Sequence, residues 1–228
     1  MKLFFLFLLI ISHQSFSQAV RSTESLWDQI RLNSNLQYDS NRSEIVNATE
    51  KYISNQYLIN RLSKNGQRYL YYTVKEGLRK NLPVELSLIP FVESQFDPYA
   101  RSATGASGIW QFIPSTAKEN GLKKNWWYDG RRDIVASTEA AYGFLSNLYE
   151  KYGDWLIAIA AYNAGPSRIR KEIEKNKKKG LPTDFWSLNL PRETKSYVPK
   201  ILAIVELIRD PDKFNICLLY TSDAADDL

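Results

Sequence analysis

Glu93 stands in a setting that suits acid–base chemistry. It follows Leu86-Ser87-Leu88-Ile89-Pro90-Phe91-Val92, a strongly apolar run, and precedes a loop rich in Pro, Ala, Ser and Gly. A carboxyl at the end of such a run is expected to lose part of its hydration. That disfavours the ionised form, raises the pKa and leaves the group able to donate a proton near neutral pH. The same setting also suits a buried structural Glu paired with an Arg, and the residues alone leave both readings open. Other acids of the central segment have plainer uses. Glu85 falls in the first turn of a predicted helix, where it favours the helix dipole. Asp133 and Asp154 stand where N-caps are expected, and Glu139 and Glu150 fit solvent-facing helix positions.

Several chemistries are excluded by what the chain lacks. It holds one His, His13, within an N-terminal leader, and one Cys, Cys217, in an unusual C-terminal tail. Ser–His–Asp and Cys–His catalysis are therefore ruled out for the body, no metal site or cofactor is expected, and one cysteine allows no disulfide within a chain. Acid–base work falls to carboxylates, Tyr or Lys. Around Glu93 the candidates are Ser94, directly adjacent; the loop Gly105-Ala106-Ser107-Gly108, whose glycines let backbone approach a ligand; Gln111, able to bond an amide; Tyr162 and Asn163; and Tyr197. Each has a structural alternative, as a turn cap or a packing residue.

Positioning these groups falls to helices. Amphipathic stretches are expected at 45–62 and 66–78, with Tyr69, Tyr72 and Leu78 on one face of the second. A helix starting at Asn81-Leu82-Pro83 is expected to reach Ser94, kinked at Pro90. After a loop over 97–109, a helix starts at Ile113-Pro114 and stops at Gly121. Asp133 caps a helix to Tyr152, and Asp154 caps one over 155–163 that is apolar almost all round and so buried. Gly165-Pro166 ends it. Residues 167–180 are basic, 181–191 form a linker, and a last helix spans 193–208. Neither alternating strands nor internal repeats are evident, so the fold expected is all-α.

The gross composition fits one main folded domain: 44% hydrophobic and 24% charged residues, with 6 Trp and 14 Tyr that mostly serve packing. Lys2, the apolar run 3–11, and Ser15 and Ser17 at the positions before a cleavage point read as a secretory signal over 1–17. An uncleaved anchor is the alternative. Net charge is +5, and removing Lys2 of the leader and the three Asp of 216–228 leaves +7 over 18–215. A basic body favours polyanionic partners. The segment 216–228 resembles translated adapter or vector sequence and is expected to be disordered.

The pattern resembles a known family. Pro90-Phe91-Val92-Glu93-Ser94-Gln95-Phe96-Asp97-Pro98, with Leu82-Pro83-Val84-Glu85-Leu86 before it, is similar to the first motif of lytic transglycosylases with the goose-type lysozyme fold. Gly108-Ile109-Trp110-Gln111-Phe112-Ile113-Pro114 resembles the second, Ala161-Tyr162-Asn163-Ala164-Gly165 the third and Glu193-Thr194-Lys195-Ser196-Tyr197-Val198-Pro199-Lys200 the last. Trp110, Arg131-Arg132-Asp133 and Leu190-Pro191-Arg192-Glu193-Thr194 look most like the membrane-bound D type. The resemblance covers about residues 20–210 and has two departures. Ile109-Trp110 stands where many relatives carry Leu-Met, and the LysM modules into which proteins of this type often continue are expected to be missing through truncation rather than absent from the natural gene.

The resemblance implies a lysozyme-like catalytic domain over 81–210, preceded by a helical extension over 18–80. It implies a lyase acting on peptidoglycan, with Glu93 as sole acid and base. Ser94, Gly108, Gln111, Tyr162, Asn163 and Tyr197 would bind or border the glycan, and the two tyrosines would hydrogen-bond near Glu93. A monomer in the periplasm or envelope is expected, with membrane association left open and no nucleic-acid partner. The basic run 168–179 then reads as a solvated face. Rival readings are a hydrolytic lysozyme on the same fold and a non-catalytic glycan-binding protein.

Overall fold

A computed structural model describes residues 25–218. The leader 1–17 and the tail from 219 onward lie outside the described residues, and so do the expectations placed on them. Nine α-helices form the described part: α1 (Leu26–Asn33), α2 (Ser43–Ile53), α3 (Gln56–Arg79), α4 (Ile89–Ser94), α5 (Pro114–Glu119), α6 (Ile134–Tyr152), α7 (Trp155–Ala164), α8 (Pro166–Lys178) and α9 (Arg192–Arg209). Short 3-10 turns span Val84–Leu88, Phe185–Ser187 and Asp212–Phe214. Among the described residues only isolated bridges take a β conformation, Arg101 with Ser107, Ser107 with Phe112 and Lys124 with Asp129. No described helix is long and apolar enough to cross a membrane.

The caps form where side-chain oxygens meet orphan helix N–H groups. Asp133 accepts from Ala136 N at 2.9 Å, and Asp154 accepts from Leu156 N and Ile157 N at 2.7 and 3.1 Å. The helix α7 that Asp154 opens is buried along Leu156 to Ala161. Along that stretch it is wrapped by α6, α8 and α9, while its ends at Trp155 and at 162–164 stay partly exposed. Gly165 closes α7 and Pro166 opens α8 at once, with its ring in a first turn that needs no N–H. The last helix, α9, packs on α1, α2, α4, α7 and the Val84–Leu88 turn, and joins them into one apolar core.

Three expectations change. The two amphipathic stretches divide elsewhere: α2 ends at Ile53, Asn55 caps α3 by accepting from Leu58 N, and α3 then runs unbroken for 24 residues. The helix expected over 83–94 is two pieces, a 3-10 turn and then α4, with Pro90 in the first turn of α4 rather than kinking an interior. Glu85 is fully buried in that 3-10 turn and does more than favour a dipole. Its Oε1 accepts from Asn35 N and Leu36 N at 2.8 and 2.9 Å, pinning the loop after α1. Burial pushes its carboxyl above the ordinary value, and Oε2 has no partner. Of the tail, Ile216 and Leu218 pack against the core.

Candidate active site

Helix α4 presents Glu93 one residue before its end. The chain then leaves through two consecutive left-handed residues, Gln95 at φ 54° and Phe96 at φ 60°. Side chains resist that conformation, so packing has to impose it. Gln95 N donates to Phe91 O at 2.9 Å, Phe96 N donates to Pro90 O at 3.3 Å, and the Phe96 ring is buried 6.3 Å from that of Phe91. The sharp exit stops the helix just past Glu93 and starts the loop beside it.

Glu93 meets one hydroxyl directly. Tyr197 Oη, from the buried face of α9, donates to Glu93 Oε1 at 2.5 Å. Burial raises the Glu93 pKa from 4.5 to about 7. The Tyr197 hydrogen bond opposes this by favouring the ionised carboxylate, Glu193 adds to it by like-charge repulsion, and Lys200 opposes it. Tyr197 is itself pushed well above its ordinary value by burial and by Glu93, so it stays a proton donor. The result is a carboxyl balanced between its two protonation states near neutral pH.

The remaining sequence-predicted residues build the frame around this pair. Ser94 Oγ donates to the carbonyls of Pro90 and Ile109 at 3.1 and 3.0 Å, tying α4 to the loop that follows. Gln111 Nε2 donates to Gly108 O at 2.7 Å and Ala100 O at 3.2 Å and holds a tight turn in which Gln111 is itself left-handed. Gly108, at φ 81°, lies under the Arg131 carbonyl, whose oxygen would be 1.7 Å from a Cβ placed there. The Tyr162 hydroxyl, expected to bond near Glu93, donates instead to Trp110 O at 2.7 Å, although Glu93 still raises its pKa after burial. Asn163 Oδ1 accepts from Thr194 Oγ1 at 2.9 Å, joining the end of α7 to the start of α9.

Two frame residues stood in the quoted motifs without a role assigned to them. Arg131 forks onto Asp129 at 2.6 and 2.9 Å while its Nη1 reaches Gly105 O and Phe112 O, so one buried guanidinium ties together the two sides of the turn that holds Gly108 and Gln111. The spacing Asp129-Gly130-Arg131 carried that signal. Thr194 had none, because its partner Asn163 is 31 residues away. Among the described residues, no group of three or more His, Cys, Asp or Glu is placed to hold a metal.

Residues 71–184 match the transglycosylase SLT domain, half of the chain. The chain belongs to the transglycosylase SLT domain family. Over 176 residues it is 44% identical to the Escherichia coli protein named membrane-bound lytic murein transglycosylase D, covering 77% of this chain and 39% of that relative. The chain thus spans about two fifths of that relative's length. Two solved structures share the fold. The 70 kDa soluble lytic transglycosylase of Escherichia coli aligns with TM-score 0.50 at 19% identity, over 84% of this chain and 31% of its own. An inactive mutant of lytic transglycosylase Slt from Pseudomonas aeruginosa aligns with TM-score 0.51 at 22% identity, over 89% and 35%. Within this SLT-family chain the matched segment begins inside α3 and contains Glu93, Gln111 and Tyr162. Tyr197, on α9, lies beyond it.

Proposed function

We propose that this SLT-family protein cleaves the glycan strands of peptidoglycan as a lytic transglycosylase, with Glu93 as acid and then base. The observation that carries the proposal is the Glu93 carboxyl, raised to about 7 by burial and bonded to Tyr197 Oη at 2.5 Å. A group with a pKa near the working pH gives up and takes back a proton with little penalty in either direction. Protonated Glu93 donates to the glycosidic oxygen between MurNAc and GlcNAc as the bond to C1 breaks. The substrate's own N-acetyl group stabilises C1. Ionised Glu93, steadied by the charge-assisted Tyr197 hydrogen bond, then removes the proton of the MurNAc 6-hydroxyl, whose oxygen attacks C1. The products are a free GlcNAc 4-hydroxyl and a 1,6-anhydroMurNAc end, and no water is consumed.

An inverting hydrolase on this fold would need a second carboxylate to activate water. Glu193, whose charge Glu93 feels, is exposed. The murein in that relative's name and the secretory reading of 1–17 support action in the envelope. Digestion of purified peptidoglycan by wild type and Glu93→Gln, with mass spectrometry of the products, tests the reading. Anhydro ends from wild type and none from Glu93→Gln are expected. Reducing ends from wild type would make the protein a hydrolase, and full anhydro yield from Glu93→Gln would remove Glu93 from the mechanism.

A further inference from the structure

Between α5 and α6 the chain turns back on itself as a short hairpin. Lys124 and Asp129 pair antiparallel, and Asn125 N donates to Tyr128 O and Gly130 N to Lys123 O, both at 2.8 Å. Trp126 and Trp127 form the tip. Asn125 Oδ1 accepts from Trp127 N and Tyr128 N at 2.9 and 2.8 Å, and Tyr128 Oη donates to Asp133 Oδ2 at 3.0 Å, so the tip is fixed from within. Yet the two indoles are 85% and 89% exposed, and the ring each meets is the other's, edge to face at 5.8 Å. Tyr99, 76% exposed, borders the same cleft. So do Arg101, Lys124 and Arg132, all exposed. The acids there are engaged: Asp129 accepts from Arg131 at 2.6 Å, and Asp133 caps α6.

Large rings held out into water in one patch mark a surface that something covers. A sugar platform offers a flat ring face and free polar groups beside it. Here the two indole planes stand at 85° to each other, and Asn125, Tyr128, Asp129 and Asp133 direct polar atoms to partners within this segment. A lipid surface asks for neither. Trp settles at the boundary between headgroups and acyl chains, while Lys and Arg reach the headgroup charges. The exposed Trp pair with Arg101, Lys124 and Arg132 supplies both parts, and the sign of those charges selects anionic lipid. The hairpin is already ordered, so docking it costs little conformational entropy. We propose that the Trp126-Trp127 tip and the cations around it dock the protein on an anionic lipid surface. The docking is independent of the chemistry of Glu93. It has a consequence for the site all the same: Arg131, at the base of the hairpin, is bonded to Gly105 O and Phe112 O, so the turn that holds Gly108 and Gln111 keeps a fixed attitude to the lipid.

The test is co-sedimentation of the full chain with vesicles of phosphatidylcholine mixed with phosphatidylglycerol, and with vesicles of phosphatidylcholine alone. Binding to the anionic vesicles is expected, weakening as salt rises. Trp126→Ser with Trp127→Ser should reduce it roughly tenfold or more, through the apolar surface lost. Arg101→Gln with Lys124→Gln should reduce it roughly tenfold. Lys177→Gln with Lys178→Gln, at the basic end of α8, should leave it unchanged. Brominated acyl chains should quench tryptophan fluorescence in wild type and not in the tryptophan double variant, since Trp27 and Trp110 are buried. The apolar run 3–11 is present in every variant, so binding through it would survive the double change. All six substituted residues are exposed, and circular dichroism verifies that the variants are folded. No binding by wild type, equal binding to neutral vesicles, or full binding by the tryptophan variant would overturn the proposal. So would equal weakening by the two cation pairs. Sedimentation with insoluble peptidoglycan completes the test: if the tryptophan variant lost that binding and kept the vesicles, the tip would belong to glycan and the lipid proposal would fall.

Discussion

Glu93→Gln should make the folded protein more stable at neutral pH while removing the proposed activity. Folding carries the Glu93 carboxyl from an ordinary value of 4.5 to about 7. Below pH 4.5 the group is protonated in both folded and unfolded chains and costs nothing. Between 4.5 and 7 the unfolded chain ionises first, so folding must take up a proton and stability falls as pH rises. Above 7 both forms are ionised and the full penalty stands, roughly 3 kcal/mol at about 1.4 kcal/mol per pH step. Gln is nearly isosteric with the protonated acid and retains an acceptor for Tyr197, so it escapes the penalty. For a domain of this size the gain corresponds to about 6–12 °C in Tm. Thermal unfolding followed by circular dichroism from pH 4 to 8.5 reads it directly. The two proteins should melt together near pH 4, separate between 4.5 and 7, and stay separated above. Parallel curves at all pH values, or a gap that closes as pH rises, would refute the desolvated-acid reasoning.

Tyr197→Phe removes the donor that favours ionised Glu93. The alkaline limb of the pH–activity profile should move up by about one pH unit or more, with kcat reduced, since a charge-assisted hydrogen bond contributes about 1.5–3 kcal/mol. Gly108→Ala puts a methyl against the Arg131 carbonyl at a positive φ, and a loss of more than about 3 kcal/mol is expected by urea denaturation. Glu85→Ala orphans the N–H groups of Asn35 and Leu36 and should cost about 2–3 kcal/mol, whereas Glu85→Gln, which retains the accepting oxygen, should melt close to wild type. Arg131→Ala should destabilise by about 3 kcal/mol and raise proteolysis within 97–111, because it leaves Asp129 with only the longer Lys124 contact and frees two carbonyls.

Local signals were readable and distant ones were not. Asp133 and Asp154 act within three residues of themselves, so their caps follow from sequence. The unbroken apolar run over 155–161 could only belong to a buried helix. The apolar approach to Glu93 correctly announced a desolvated carboxyl. The end of α2 was missed because Ser54-Asn55 interrupts the chain without interrupting the apolar pattern, and periodicity cannot see a break that leaves the next face in phase. Glu85 does lie in a first turn, but its second role went unseen: its partners are backbone groups 49 and 50 residues earlier, which no side-chain pattern records. Tyr162 and Tyr197 looked alike in sequence. Only the packing of α7 and α9 directs one hydroxyl to Trp110 O and the other to Glu93.

The Tyr197 to Glu93 hydrogen bond spans 104 residues and depends on the last helix of the core. A nascent chain emerges with Glu93 long before α9. In the unfolded chain that carboxyl keeps its ordinary value of 4.5 and is ionised at neutral pH, with no proton to give. On the proposed mechanism, proton donation is coupled to completion of the fold: the chain must finish building itself before Glu93 can serve as the acid.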